Sequence, residues 1–236
     1  MKTPLLTLLF LCFFSLAEPA TLKDRLSKAR PGDYIVTAQG SNYSLLMIRD
    51  IKGPELLLEE ITIPQKIVEL DKVSWENWVE KKAPGALSWI ALSINLEKGT
   101  LDQCYSYFQS QWLFIEKSDH LFTQLLTLNL RPTRTKDRKR IGPAPPAGET
   151  DRRKLWKPQI VREGKKVKKA KFDVLRTQWP SDKSRLAGCI FELYLDAGTP
   201  DFPFPYWMEV QSPHYTFKVR VVDSGRGITS PMRPLL

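Results

Sequence analysis

Residues 87–96, LSWIALSINL, contain the clearest strand pattern in the N-terminal half of the chain. Ile90, Leu92, Ile94 and Leu96 occupy every second position, and smaller or polar residues stand between them. Successive side chains of a β-strand point to opposite faces, so this spacing predicts a strand with one buried face and one more polar face. The other strands of the chain are predicted from runs with a similar pattern.

Short runs of similar character lie on both sides of residues 87–96, and turn residues separate them. The runs cover 33–38, 43–51, 55–63, 101–109, 172–179, 186–196, 207–211 and 215–221. Runs this short, with Gly, Pro and Asn between them, predict antiparallel neighbours. Residues 101–109 also fit one face of a helix, and that alternative stays open. Helices are predicted at 22–29, 74–83 and 118–128, and Ser74 is in position to cap the second.

These elements define a fold class of α+β, mainly antiparallel β. We predict a curved sheet of about eight to nine strands with two or three short helices and one long basic excursion, since turn-separated alternating runs form sheets. Residues 18–236 are predicted to form a single β-rich domain, because neither half has enough elements to close a core alone.

The N-terminus has the features of a secretory signal peptide. A basic start at Lys2 precedes an apolar run over 5–16, and small residues end at Ala17. A membrane-spanning helix needs about 20 apolar residues, which is longer than this run. We expect residues 1–17 to be removed, with cleavage after Ala20 as the near alternative. The mature protein would then be exported, either periplasmic or secreted, without a transmembrane segment. A buried N-terminal helix is the other interpretation.

Positive charge is concentrated in residues 131–171. This segment has sixteen Lys or Arg and four acidic residues, whereas the whole chain has a net charge of +10. It has no sustained apolar periodicity, and residues 142–148 are rich in Pro and Gly. Long stretches without regular structure are usually functional or disordered. We therefore predict a basic, Pro/Gly-containing surface excursion from the domain.

Two groups of residues are candidates for binding. The first is basic and comprises Arg138, Lys139, Arg140, Arg152, Arg153 and Lys154. Nucleic acid is seldom available to an exported protein, so we expect an anionic lipid or envelope surface, or an acidic protein partner, and no nucleic acid. The alternative is a solvated loop that the charge keeps soluble.

The second group is aromatic and lies in a loop stiffened by two prolines. It comprises Phe202, Phe204, Tyr206 and Trp207. Exposed, such a cluster would mark a binding site; buried, it would close the end of the sheet.

Few residues could carry out catalysis or bind a metal. After cleavage the chain retains Cys104 and Cys189, and its histidines are His120 and His214. Export permits a disulfide between the two cysteines, while the alternative is two buried apolar thiols. No histidine spacing is typical of a metal site, so we expect no metal and no cofactor, and assign no catalytic residue. A cysteine paired with His214 is the one enzymatic arrangement still open.

In outline the predicted pattern resembles the curved antiparallel sheets with a few helices used by exported lipid or lipoprotein carriers. The resemblance is architectural and implies binding rather than catalysis. We therefore expect an exported, non-enzymatic binding protein of a bacterial cell envelope, with a lipid or lipoprotein carrier as one form. An envelope structural or assembly factor that docks through its basic excursion is the first alternative, and a Cys-dependent hydrolase is the second.

Overall fold

The computed structural model describes residues 21–70, 72–114 and 118–233, with the side chains of 118–122 left out. The predicted signal peptide, residues 1–17, and the alternative cleavage position at Ala20 lie outside the described residues.

Eleven antiparallel strands form one large open sheet. Its order is β6-β5-β4-β3-β2-β1-β13-β12-β11-β10-β7. The strands are β1 Tyr34–Gln39, β2 Asn42–Lys52, β3 Glu55–Pro64, β4 Ser88–Asn95, β5 Thr100–Ser106, β6 Gln111–Leu113, β7 Arg131–Pro132, β10 Phe172–Gln178, β11 Ile190–Asp196, β12 Trp207–Gln211 and β13 Thr216–Gly225. A separate hairpin pairs β8 Val161–Arg162 with β9 Lys165–Lys166. Because β1 pairs with both β2 and β13, the two halves of the chain share one sheet.

All nine predicted strands are present, and the stretch at 101–109 is a strand rather than a helix. The predicted count of eight to nine is nevertheless too low for this sheet. The missed strands, β6 and β7, are only three and two residues long and join its two edges. Runs so short have too few positions to alternate, so periodicity does not detect them.

Three short helices accompany the sheet: α1 Leu22–Leu26, α2 Trp75–Glu80 and α3 Ser118–Thr127. Ser74 caps α2 as predicted, because its side chain accepts a hydrogen bond from the Asn77 backbone amide. On one face of the N-terminal strands, Trp75 and Val79 of α2 pack with buried residues that include Met47 and Trp89.

The opposite face of the N-terminal strands belongs to a larger core cluster. Ile48, Leu58 and Ile94 from this half join Tyr194 and Val221 from the C-terminal half in the same cluster. One continuous core therefore underlies strands from both ends of the chain.

Strand β11 is buried on both of its faces. Its alternation predicts Glu192 on an outer, solvated face, but Glu192 is only 8% exposed. Glu209 lies directly opposite Glu192 on β12 and is also buried. Glu209 pairs with Lys139 of the basic segment, and Glu192 accepts a hydrogen bond from the Tyr194 hydroxyl.

Candidate functional site

Residues 133–171, here called the strap, lie against the sheet instead of forming a free excursion. Ile160 is fully buried in the large core cluster. Trp156, Val167 and Ala170 are partly buried and pack against the same cluster. These apolar residues are too widely spaced to give a helix or strand period, so the sequence predicts only a surface excursion. The structure corrects this, because the strap adds to the core while its charged residues stay outside.

The contact between Lys139 and Glu209 attaches the strap to β12. Lys139 Nζ lies 2.6 Å from Glu209 Oε2 and 5.4 Å from the centre of the Trp156 ring. Trp156 makes edge contacts with the rings of Tyr194 and Trp207. Burial by itself would raise the pKa of Glu209, but hydrogen bonds from Lys139 and Gln211 outweigh it and lower that pKa.

The predicted basic residues divide into two kinds. Four of the six make internal contacts: Arg138 donates to the Thr133 carbonyl, Lys139 pairs with Glu209, and Arg140 and Arg153 both pair with Asp151. Arg152 and Lys154 are exposed, and no ion pair or side-chain hydrogen bond holds either one among the described residues. Lys139 attaches the strap to β12 and the other three link residues within the strap, which leaves two of the predicted six for an external ligand.

The hairpin of β8 and β9 adds further cations to the surface of the strap. Its two-residue turn has positive φ at Glu163 (50°) and Gly164 (72°), the geometry of a type I′ turn. The turn is tied to β13 because the Glu163 amide donates to the Ser224 carbonyl at 2.8 Å. Lys165 and Lys166 follow directly and are exposed.

Nine exposed cations on the strap have no charged partner among the described residues, and six of them lie in short basic runs. We call these six the free strap cations: Arg152, Lys154, Lys165, Lys166, Lys168 and Lys169. The runs at 165–166 and 168–169 are basic clusters of the same segment in the sequence. The sequence does not show which of these cations form ion pairs within the protein, because that depends on the tertiary structure.

The aromatic loop is internal, so its predicted role as a binding site is wrong. Phe202, Phe204 and Tyr206 are all buried, and Trp207 is partly buried. Phe202 and Tyr206 stack with ring centres 5.6 Å apart. Arg162 of β8 donates to the Tyr206 hydroxyl at 3.3 Å. The loop is the plug at the end of the sheet that the second interpretation describes.

Cys104 and Cys189 are buried free thiols in this structure, which is the second of the two alternatives, and no disulfide joins them. Cys104 belongs to the large core cluster, and Cys189 belongs to a separate cluster around Trp179. Burial raises the pKa of the Cys104 thiol, which disfavours the reactive thiolate. Cys189 Sγ lies 3.8 Å from the Tyr215 hydroxyl. No hydrogen bond joins either thiol to a histidine in the described part of the chain, so nothing there supports a cysteine nucleophile.

An open apolar cleft lies on the face of the sheet opposite the strap. Its volume is about 340 Å³, and its lining is Leu125, Trp179, Leu186, Phe191, Met208, Val210, Tyr215 and Phe217. Phe191, Val210 and Phe217 stand in direct register across three strands, so they form one apolar row. Alternation along β13 predicts that Tyr215 and Phe217 point inward, yet they are 45% and 48% exposed. Both side chains line the apolar cleft, and they remain exposed because the described chain does not cover it.

The described residues lack two further features, a metal-binding cluster and a membrane-spanning helix. They contain no group of three or more His, Cys, Asp or Glu side chains arranged to hold a metal ion. Their helices are also too short or too polar to cross a membrane.

The fold and the strap define a class of β-rich protein with one open antiparallel sheet and a basic covering segment. The model of the CT021 protein family matches residues 44–168, and the chain belongs to that family. The 2.0 Å structure of the hypothetical protein CT021 from Chlamydia trachomatis is similar in fold, with a TM-score of 0.65 at 20% sequence identity. The similarity covers 92% of this chain and 98% of that one. No curated protein matches the chain.

Proposed function

We propose that this protein is an exported, non-enzymatic binding protein of a bacterial cell envelope. In this proposal it docks on an anionic surface through the free strap cations. The observation that carries the proposal is that the strap has two sets of residues, one buried or paired and one exposed. Ile160 and Lys139 hold the segment against the sheet, while six cations in basic runs of the same segment stay exposed and form no ion pair among the described residues.

The chemistry of the free strap cations favours an anionic lipid surface over a single acidic protein site. Five of the six are lysines. A lysine ammonium is a hydrated point charge on a flexible stem, which suits a diffuse anionic surface better than a fixed bidentate contact. Each such residue near anionic lipid contributes about 1 kcal/mol. Exposed charges are screened over about 8 Å at physiological ionic strength, so the attachment weakens as salt increases.

We predict that replacing all six free strap cations by Gln abolishes sedimentation of residues 18–236 with anionic vesicles. The thermal midpoint should change little, because exposed substitutions usually alter stability by no more than about 0.5 kcal/mol each. The measurement is co-sedimentation with phosphatidylglycerol-containing vesicles at low and high salt, with neutral phosphatidylcholine vesicles as the reference.

A matched control removes six exposed lysines from outside the strap, namely Lys28, Lys66, Lys81, Lys82, Lys98 and Lys183. This control lowers the net charge by the same amount and should keep most of the binding. Equal loss in both variants would mean that net charge, and not the strap, attracts the protein to the vesicles. That result would contradict the proposed docking surface.

The apolar cleft favours a second candidate function, the carriage of an acyl chain. Its lining is entirely apolar or aromatic, and its volume of about 340 Å³ lies at the small end of the usual range for ligand pockets. A curved sheet that holds such a chain is the architecture expected for a lipid carrier.

Under this second function, mild native mass spectrometry of the purified protein should detect a bound lipid that the variant Phe217→Lys has lost. A charge in the cleft opposes an apolar chain, and Phe217 is exposed enough for the variant to fold. Phe108→Lys is the control, since Phe108 is similarly exposed at 51% but lies outside the cleft. Wild-type protein without lipid, or a lipid retained by Phe217→Lys, would count against the carrier function.

A further inference from the structure

Two arginines stand directly opposite each other at one edge of the sheet. Arg131 of β7 is in register with Arg176 of β10. Neither side chain has an ion pair or hydrogen bond among the described residues. Like charges in directly opposite positions destabilise a strand pair. This edge therefore has an electrostatic cost that an anion between the two guanidinium groups would remove.

A buried hydroxyl without a partner lies in the same place. Thr133 follows β7 and is 6% exposed, and its backbone amide donates to the Val174 carbonyl at 2.8 Å. Its Oγ1 atom is buried and makes no hydrogen bond. Buried hydroxyl groups normally have partners, because leaving one unsatisfied is unfavourable. Thr133, Arg131 and Arg176 all line one cleft of about 320 Å³ at the sheet edge.

The other charged groups at this cleft do not neutralise the two arginines. Arg134 and Asp137 also line it, but they pair with each other at 2.6 Å. Glu192 is opposite Arg176 on β11, and its carboxylate accepts a hydrogen bond from the Tyr194 hydroxyl at 2.9 Å. Glu192 forms no ion pair with Arg176. The cleft therefore presents two unpaired guanidinium groups and one unused hydroxyl to the same space.

We propose that this edge cleft binds a phosphate group, as inorganic phosphate or as a phosphomonoester headgroup. Guanidinium groups bind phosphate oxygens through two parallel N–H···O bonds, and these charge-assisted bonds are stronger than neutral ones. The Thr133 hydroxyl supplies a further donor that the fold leaves unpaired. None of these residues belongs to the free strap cations, so the site does not depend on the proposed vesicle docking.

The test is isothermal titration of residues 18–236 with inorganic phosphate at constant ionic strength, together with thermal unfolding with and without phosphate. Wild-type protein should bind phosphate and unfold at a higher temperature when it is present. Arg176→Gln should weaken binding by about tenfold or more, because a hydrogen bond to a charged group is lost. Arg131→Gln should act in the same direction, and Thr133→Val should weaken binding less.

Two comparisons separate a phosphate site from a structural role. Lys136→Gln removes an exposed cation of the same segment outside the cleft and should leave phosphate binding unchanged. Without phosphate, Arg131→Gln should be at least as stable as wild type, since it removes a like-charge contact. Equal phosphate binding by wild type and both arginine variants would overturn the proposal, as would loss of stability in Arg131→Gln without phosphate.

Vesicles separate the two sources of the phosphate group. The variant lacking the six free strap cations is tested with vesicles containing phosphatidic acid, whose headgroup is a phosphomonoester. Binding that is lost on Arg176→Gln would assign the cleft to a lipid headgroup. Phosphate binding without vesicle binding would assign it to a soluble phosphate, and absence of both would reject the site.

Discussion

Arg49→Ala should lower the free energy of unfolding by about 3–5 kcal/mol, the usual cost of leaving one member of a buried ion pair without its partner. Glu59 is fully buried, and Arg49 donates to its Oε1 atom. The other carboxylate oxygen accepts from the Trp89 indole at 2.8 Å. Arg49 also donates to the Met232 carbonyl at 2.5 Å, so the same substitution should loosen the C-terminal tail.

Urea denaturation at neutral pH measures this loss directly. The double variant Arg49→Met, Glu59→Gln is the matched control, because it removes both charges and keeps the approximate side-chain volume. It should recover much of the stability lost in Arg49→Ala, since no buried charge is left unpaired.

Tyr107 also contacts the Glu59 carboxylate. Burial and the adjacent Glu59 carboxylate raise the pKa of Tyr107, which keeps its hydroxyl protonated as a donor to that carboxylate. A loss below about 1 kcal/mol for Arg49→Ala would show that water reaches Glu59 and replaces the guanidinium.

Ile160→Ala should detach the strap from the sheet. Ile160 is fully buried, and truncating a large core residue to Ala usually costs about 2–5 kcal/mol. The strap is a single covering layer, so we expect this loss to appear first as local opening. Limited trypsin digestion should then cut within residues 152–171 at least about tenfold faster than in wild type, because cleavage follows the population of the open form.

Val161→Ala is the control for Ile160→Ala, since Val161 is the adjacent residue and is only partly buried. It should change the trypsin rate much less. If Ile160→Ala lowers global stability but leaves cleavage in the strap at the wild-type rate, the strap opens only when the whole protein unfolds. In that case the strap would be part of the main cooperative core and not a separable layer.

The strands and helices could be predicted from the sequence because their signals are local. Alternation over 87–96 and the turn residues around it depend on neighbours a few positions apart, and the same holds for the Ser74 cap of α2. The edge strands β6 and β7 were not predictable in this way. Each exists because a longer strand, β5 or β10, offers it hydrogen bonds.

The binding candidates were less predictable, because a charge in the sequence carries no information about its partner. Lys139 and Lys154 belong to the same basic segment, but Lys139 pairs with Glu209, 70 residues away, while Lys154 pairs with no acid among the described residues. The aromatic loop had two possible environments, and in the structure it contacts Arg162 of β8 and Arg226, which follows β13.

Composition and local pattern were sufficient to establish a mainly antiparallel β-chain with one strongly basic segment, since hydrophobic period, turn chemistry and charge are properties of neighbouring residues. The joining of both halves through β1 and β13 depended on the tertiary structure, and so did the burial of Ile160 of the strap in the large core cluster. The same is true of the opposition of Arg131 and Arg176 across a sheet edge. Each of these depends on contacts between residues far apart in the chain, and such contacts form only when the whole sheet has assembled.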